Sequence, residues 1–343
     1  MHTIVAQIGC GYWGPNLLRN FFFHPNCTVK YLAEVSFERR VYVEKSYPSI
    51  KTTENCNVIF EDSEIDAVII STPACTHYKL TKDALQANKH VLVEKPLAMS
   101  TQEADELVNL AESRNLILMV GHTFLFNNAV RYIYDLIHQG ELGEIYYIYS
   151  QRLNLGQLRS DVNAWWNLAP HDISILLYFM KEEMPIQISS HGMSYIQSGI
   201  EDVVFSTLTW KNGMTAQIQV SWLDPGKVRK MTLVGSHKMI TYDDISDDKI
   251  TIFDKGFDKV PRSGEQMDYD GLTNYKILKR WGNILVPYFD FQEPLKLEID
   301  HFLSCVQTGQ TPITHSIHGK NVVSILEAGQ LSLKQGGVGI KIG

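Results

Sequence analysis

A short strand-like run, Ile4-Val5-Ala6-Gln7-Ile8, breaks at once into Gly9-Cys10-Gly11-Tyr12-Trp13-Gly14. No other feature so narrows what the chain can fold into. Residues 15–23 then read as a helix, residues 28–33 as a second strand, and the strand ends at the acid Glu34. Strand, G-x-G-x-x-G, helix, strand and acid form a unit built to hold a dinucleotide. The first glycine permits the tight turn, the second lets backbone approach a pyrophosphate, and the third lets helix and strand pack closely. The helix N-terminus faces the phosphates with free N–H groups, and Pro15 suits its first turn. Glu34, twenty residues past Gly14, is spaced to accept hydrogen bonds from an adenosine ribose. Tyr12 and Trp13 belong to the same cofactor-facing turn.

The α/β rhythm continues. Residues 37–47 read as a helix, 67–71 as a buried strand ending at Thr72-Pro73, and 76–88 as a helix. Residues 90–93 form a strand stopping at Glu94-Lys95-Pro96. A helix over 101–114 opens on a Ser100/Glu103 capping box, and a strand over 116–120 ends at Gly121-His122. This predicts a doubly wound parallel sheet over residues 1–122. From residue 123 the pattern changes. A helix over 129–139 is followed by long alternating strands at 145–153, 186–194, 203–210, 214–222, 230–234 and 239–242. A helix over 170–180 interrupts them, and helices over 295–308 and 318–335 close the chain. Residues 123–343 are therefore expected to form an α+β domain with a large open, mainly antiparallel sheet. Residues 254–288, polar and rich in glycine, read as a long loop crossing the sheet or a partner subunit.

The 343 residues exceed one ordinary core, and 44% hydrophobic with 20% charged residues fit a well-buried globular protein. A net charge of −7 without a basic stripe argues against nucleic acid. Five scattered cysteines, with no C-x-x-C and no Cys/His cluster, argue against a disulfide framework or a metal site. The N-terminus enters a strand directly and no apolar run approaches a membrane span, so a reducing cytoplasm is expected.

Ligands of open α/β sheets gather at the carboxyl ends of the strands. Ser71-Thr72-Pro73, Glu94-Lys95-Pro96 and Gly121-His122 occupy such ends, with His77 close by. Lys95, pinned by a following proline, is placed to bond a substrate hydroxyl and to stabilise the alkoxide formed as hydride leaves. A polar cluster around Arg152, Asn154 and Arg159 precedes Trp165-Trp166-Asn167-Leu168-Ala169-Pro170-His171-Asp172. His171, read as a helix-start residue beside an acid, has the side chain to take the hydroxyl proton near neutral pH. A carboxylate at Glu34 repels a 2′-phosphate and favours NAD. Ser36, Arg39 and Arg40 nearby leave NADP open.

The glycine turn at 9–14, the Glu94-Lys95-Pro96 tripeptide and the run 166–172 together resemble the Gfo/Idh/MocA family of NAD(P)-dependent sugar and polyol dehydrogenases. The likeness spans nearly the whole chain. It implies that Lys95 touches the substrate hydroxyl and the nicotinamide region, and that the peptide bond before Pro96 is often cis. It gives Arg39 a stacking role on adenine, and Asn127, in Phe126-Asn127-Asn128-Ala129, a cofactor or substrate role. Residues 152–156 with 166–172 are similar to the nucleotide-sugar 3-dehydrogenases. That likeness implies oxidation of C3 of UDP-N-acetylglucosamine or its uronic acid, for a pathway aminotransferase in surface-polysaccharide or lipid A synthesis. His171 is then the general base, and Arg152 and Asn154 are substrate contacts. Where polyol dehydrogenases of the family carry Asp, four residues before this histidine, the chain has Asn167, which orients an imidazole without stabilising its charged form. The broad sheet face is implied to make a homodimer or homotetramer. A dTDP-ketosugar reductase, an inositol dehydrogenase and a non-catalytic NAD-binding regulator are the alternatives.

Overall fold

The computed structural model describes residues 2–156, 158–261, 275–290 and 292–342. Its first sheet is built from β1 (Thr3–Ile8), β2 (Cys27–Ala33), β3 (Lys51–Thr53), β4 (Ala67–Ile70), β5 (His90–Glu94) and β6 (Leu118–Gly121). All pairs are parallel and the order is β3-β2-β1-β4-β5-β6, so the winding direction reverses between β1 and β4. Helices α1 (Gly14–Phe22), α2 (Phe37–Ser46), α3 (Asn57–Glu61), α4 (His77–Gln86) and α5 (Thr101–Ser113) connect the strands. With helices on both faces, the central strands are apolar throughout, and every residue of β4 and β6 is buried. The capping box forms at α5: Glu103 N donates to Ser100 Oγ at 3.2 Å, and Glu103 Oε2 accepts from Met99 N at 3.2 Å.

After α6 (Asn128–His138) comes β7 (Ile145–Leu155), then α7 (Ala164–Phe179). Strands β8 (Gln187–Met193), β9 (Val203–Thr209), β10 (Thr215–Ser221), β11 (Leu223–Gly235), β12 (Met239–Asp243), β13 (Ile250–Pro261) and β14 (Tyr275–Leu285) follow. The chain closes with α8 (Pro294–Thr308), α9 (Ser316–Lys334) and β15 (Ile340–Lys341). The nine strands form one sheet of order β14-β13-β12-β11-β7-β10-β9-β8-β15. Every pairing is antiparallel except β7 with β10, because α7 and two strands intervene before the chain returns beside β7. Along β7, Ile148, Ser150 and Arg152 are buried, whereas the alternating Tyr147 and Tyr149 are exposed on the other face.

Two elements differ from the sequence reading. Helix α7 starts at Ala164 rather than 170, because Asn163 Oδ1 accepts from Trp166 N at 3.1 Å and caps it there. Pro170 and His171 consequently sit inside the helix. The expected loop at 254–288 contains the antiparallel pair β13 and β14, while residues 262–274 lie outside the described residues. Its alternation was diluted by charges on a two-sided ribbon, which weakens the period-2 signal.

Helix α9 ties the two sheets together. An added Cβ on Gly319 would lie 2.5 Å from Val120 Cγ2 of β6, and one on Gly329 would lie 2.7 Å from the Trp165 ring of α7. Both close approaches require glycine. Helix α8 packs on α1, with Phe21 and Phe302 edge to face at 6.3 Å.

Candidate active site

The glycine turn lies at the switch point of the first sheet. Gly9 has φ +93°, and a Cβ there would stand 2.7 Å from Ser71 O, so both backbone angle and space exclude a side chain. The nearest atom to a Cβ on Gly11 is Arg39 Nη1 at 3.8 Å, which leaves the middle of the turn open to a diphosphate. Gln7, inside the otherwise apolar β1 and 1% exposed, donates to Gly9 O at 2.8 Å and to Gly14 O at 2.9 Å. Ser71 Oγ also donates to Gly9 O, at 2.8 Å. No side chain among the described residues caps α1, whose first turn suits an anion. The sequence reading passed over Gln7; one polar residue amid a buried strand was the signal.

Glu34 is placed by backbone: Cys10 N donates to its Oε2 at 2.6 Å and Ser36 N to its Oε1 at 2.9 Å. Arg39 Nη1 lies 3.8 Å away. Tyr12 is exposed and Trp13 partly so, while Thr72 Oγ1 meets Thr76 Oγ1 at 2.6 Å beside Pro73. The open turn, uncapped helix and anchored acid fit a dinucleotide. His77 does not face such a ligand. Its Nδ1 meets Pro96 O at 2.7 Å and its Nε2 meets Thr72 O at 2.9 Å, so it braces the ends of β4 and β5.

Lys95 follows β5, its peptide bond to Pro96 is cis, and its Nζ donates to Asn167 O on α7 at 3.1 Å. Pro170 removes the donor that would bond the carbonyl of Trp166 and loosens α7 at this turn. Burial pushes the Lys95 ammonium down to about 8, against the opposing pull of Glu94. Burial likewise pushes Glu94 up to about 7, and its carboxylate lies over the Cα of Gly121. His171 projects from the interior of α7, its ring edge-to-face with Phe124 at 4.9 Å. Burial first, then the charges of Lys95 and Arg152, hold it well below the usual histidine range, so it is neutral at pH 7. Its Nδ1 is sealed from solvent without a partner among the described residues. The Asn167 side chain accepts from Trp222 Nε1 at 3.2 Å.

Two expected ligand contacts are spent inside the protein. Arg152 is 4% exposed and forks onto Asp172, with Nε–Oδ2 at 2.6 Å and Nη2–Oδ1 at 3.3 Å, while Ser150 Oγ donates to Oδ1 at 2.6 Å. Its guanidinium covers the Phe124 ring at 4.6 Å, so it shapes the wall behind His171. Asn127 is buried; it caps α6 through Ala129 N and donates to Tyr242 Oη at 3.2 Å and Asp244 Oδ1 at 3.4 Å. That network holds Asp244 against Arg229 at 3.3 Å, an arginine no motif had singled out. Asn154 is half-buried near Gly156, and Arg159 forks onto Asp161 at 2.8 and 2.6 Å. Among the described residues no group of three or more His, Cys, Asp or Glu is placed to hold a metal ion, and no helix is long and apolar enough to cross a membrane.

The cradle after β1 and Lys95 after β5 both lie at the carboxyl edge of the first sheet, and Lys95 reaches α7 one turn before His171: the first suits a dinucleotide, the second a hydroxyl whose proton and hydride leave separately. Comparisons agree with that chemistry. Residues 4–122 match the oxidoreductase family with an NAD-binding Rossmann fold, Gfo/Idh/MocA, and residues 130–241 match the Gfo/Idh/MocA C-terminal domain. UDP-N-acetylglucosamine 3-dehydrogenase of Acidithiobacillus ferrooxidans is 28% identical over 230 residues, 67% of this chain and 68% of that protein. The scyllo-inositol 2-dehydrogenase (NADP(+)) of Bacillus subtilis is 28% identical over 165 residues, 47% of this chain and 45% of its own. A crystal structure of the Acidithiobacillus enzyme superposes with TM-score 0.79 at 20% identity, covering 98% of this chain and 99% of that one. Levoglucosan dehydrogenase in complex with NADH superposes with TM-score 0.82 at 17% identity over 100% of both chains. The chain belongs to the Gfo/Idh/MocA family of NAD-binding oxidoreductases, whose relatives include dehydrogenases of CH–OH groups.

Proposed function

We propose that this protein oxidises the C3 hydroxyl of a UDP-linked N-acetylhexosamine, UDP-N-acetylglucosamine or its uronic acid, to the 3-keto sugar with NAD. The observation that carries the reading is that Lys95, at the same sheet edge as the glycine turn suited to a dinucleotide, reaches the Asn167 carbonyl one helical turn before His171. The match to UDP-N-acetylglucosamine 3-dehydrogenase supports the substrate class. Residues 1–122 hold the cofactor and residues 123–343 the sugar.

Bound nicotinamide supplies the hydride acceptor. Neutral His171 accepts the hydroxyl proton at Nε2. Lys95, released from Asn167 O, donates to the same oxygen and stabilises its developing charge. Phe124 and the Arg152–Asp172 pair hold the imidazole plane, and Glu34 orients the adenosine ribose and favours NAD over NADP. The exposed tyrosine-bearing face of the second sheet suits a homodimer or homotetramer, and the keto product suits a cytoplasmic aminotransferase for 3-amino-sugar synthesis.

The test mixes the purified protein and NAD with UDP-N-acetylglucosamine, its uronic acid, a dTDP-hexose and myo-inositol, following nicotinamide absorbance. 2-Oxoglutarate is included to expose turnover hidden by retained NADH. Turnover on a UDP-sugar is expected, and its loss by 10²-fold or more in Lys95→Ala and His171→Ala. Keto product from none of the UDP-sugars, or variants within about tenfold of wild type, would overturn the proposal.

A further inference from the structure

We propose that the proton taken by His171 leaves the site through a buried relay of His122, Ser174, His318 and Glu182. The proposal rests on the reading of His171 as the base. In that reading Nε2 of His171 takes the hydroxyl proton. Its other nitrogen, Nδ1, points into the protein and has no partner among the described residues.

A chain of buried polar side chains, Ser174, His318 and Glu182, runs from the helical turn after His171 to the surface, with His122 packed against it. His122, just beyond β6 and 1% exposed, has both ring nitrogens buried and without a partner among the described residues. Its ring meets that of His318 edge to face at 5.1 Å. Buried polar atoms without protein partners are commonly satisfied by ordered water, and His122 acts electrostatically on His171. Ser174 stands one turn beyond His171 on the same face of α7, fully buried. Its Oγ lies 2.9 Å from His318 Nε2, and His318 Nδ1 lies 2.7 Å from Glu182 Oε1. Glu182 reaches solvent, with 32% of its side chain exposed.

The backbone at that outlet is unusual. Lys181 and Glu182 take φ of +49° and +65°, two consecutive left-handed residues without a glycine, which turn Glu182 back toward His318. Such conformations persist where surrounding contacts over-determine them, and they recur at functional positions.

The charges facing the entry make retention of the proton unfavourable. Lys95 just after β5, Arg152 on β7, Arg229 on β11 and His122 all act to lower the proton affinity of His171, after burial itself. At the exit His318 faces Glu182 and His315. The hydroxyl proton goes to Nε2 of His171, and the Nδ1 proton passes by water and His122 to Ser174 Oγ. The serine proton passes to Nε2 of His318, whose Nδ1 proton goes to the Glu182 carboxylate and then to solvent. The C3–H electron pair leaves as hydride to nicotinamide while the C=O bond forms. The sugar is oxidised by two electrons and NAD reduced by two.

The experiment compares Ser174→Ala, Ser174→Thr, Glu182→Gln and His171→Ala with wild type for kcat, KM, the solvent deuterium isotope effect, NADH binding and melting temperature. Ser174→Ala and Glu182→Gln are expected to lower kcat by roughly 10- to 100-fold with KM within about twofold, and to raise the solvent isotope effect. Ser174→Thr, which keeps the hydroxyl, restores kcat. If Ser174→Ala and Glu182→Gln change only the melting temperature, the residues merely tie α7 to α9 and the relay is overturned. Glu182→Gln, at the partly exposed outlet, decides the matter should Ser174→Ala not fold. An inactive His171→Ala beside fully active Ser174→Ala and Glu182→Gln removes the relay alone, whereas an active His171→Ala removes the base assignment with it.

Discussion

Replacing Arg152 by methionine separates two roles for one arginine, substrate contact or buried brace. The guanidinium makes two bonds to Asp172, and both side chains are within 5% of full burial. Removing one partner of such a pair leaves the other charge in a poorly solvating interior and costs about 3–5 kcal/mol. Ser150 remains on Asp172 and offsets about 1 kcal/mol, leaving a loss of roughly 2–4 kcal/mol. For a unit of about 200 residues each kcal/mol moves the melting temperature by ~2–4 °C, so Arg152→Met is expected to melt roughly 5–15 °C lower. The double variant Arg152→Met/Asp172→Leu removes both charges and is expected to recover most of that loss. Scanning calorimetry and steady-state kinetics on the same preparations make the measurement. If the brace is the whole role, the double variant also returns to within about threefold of wild-type kcat/KM, less than 1 kcal/mol. Recovery of the melting temperature with KM still raised tenfold would refute the brace. A melting temperature for Arg152→Met within 2 °C of wild type would refute the energetic reasoning itself.

Two further outcomes follow from the site. Burial holds His171 well below the usual histidine range and pushes Lys95 to about 8, so kcat/KM should hold through pH 6.5, fall only at pH well below it as the base is protonated, and fall above about 8 as the ammonium is lost. Lys95→Arg should move the alkaline limb beyond pH 10, since guanidinium keeps its proton; a wild-type profile flat from pH 7 to 10 would contradict the role of Lys95. Glu34→Ala removes the carboxylate lying 3.8 Å from Arg39 and frees that arginine for a 2′-phosphate. The preference for NAD over NADP is then expected to drop about 10- to 100-fold, equivalent to one charged hydrogen bond, and an unchanged kcat/KM ratio for the two cofactors would exclude Glu34 as its source.

The first sheet was legible because its signals are local. Ile4–Ala6, Ala67–Ile70 and Val91–Val93 are continuous apolar runs, and Gly9, Glu94-Lys95-Pro96 and Gly121 mark where strands end. Such punctuation depends on backbone angle and on burial from both faces, which the chain carries residue by residue. The β13–β14 ribbon was obscured because its residues alternate around charge rather than around a core. His171 was placed at a helix start because Pro170 reads as a first-turn residue, whereas the Asn163 cap had already begun the helix a turn and more earlier. The amino-acid order by itself determined the dinucleotide fold and the presence of a lysine and a histidine suited to oxidation. Tertiary structure alone decided that Arg152 turns to Asp172, that Asn127 turns to Asp244, and that His318 and Glu182 lie behind Ser174. The physical reason is that hydrogen-bond and charge pairing join residues as far apart in the chain as Ser174 and His318. Which polar groups are spent inside, and which remain for a ligand, is settled only once those partners are brought within about 3 Å.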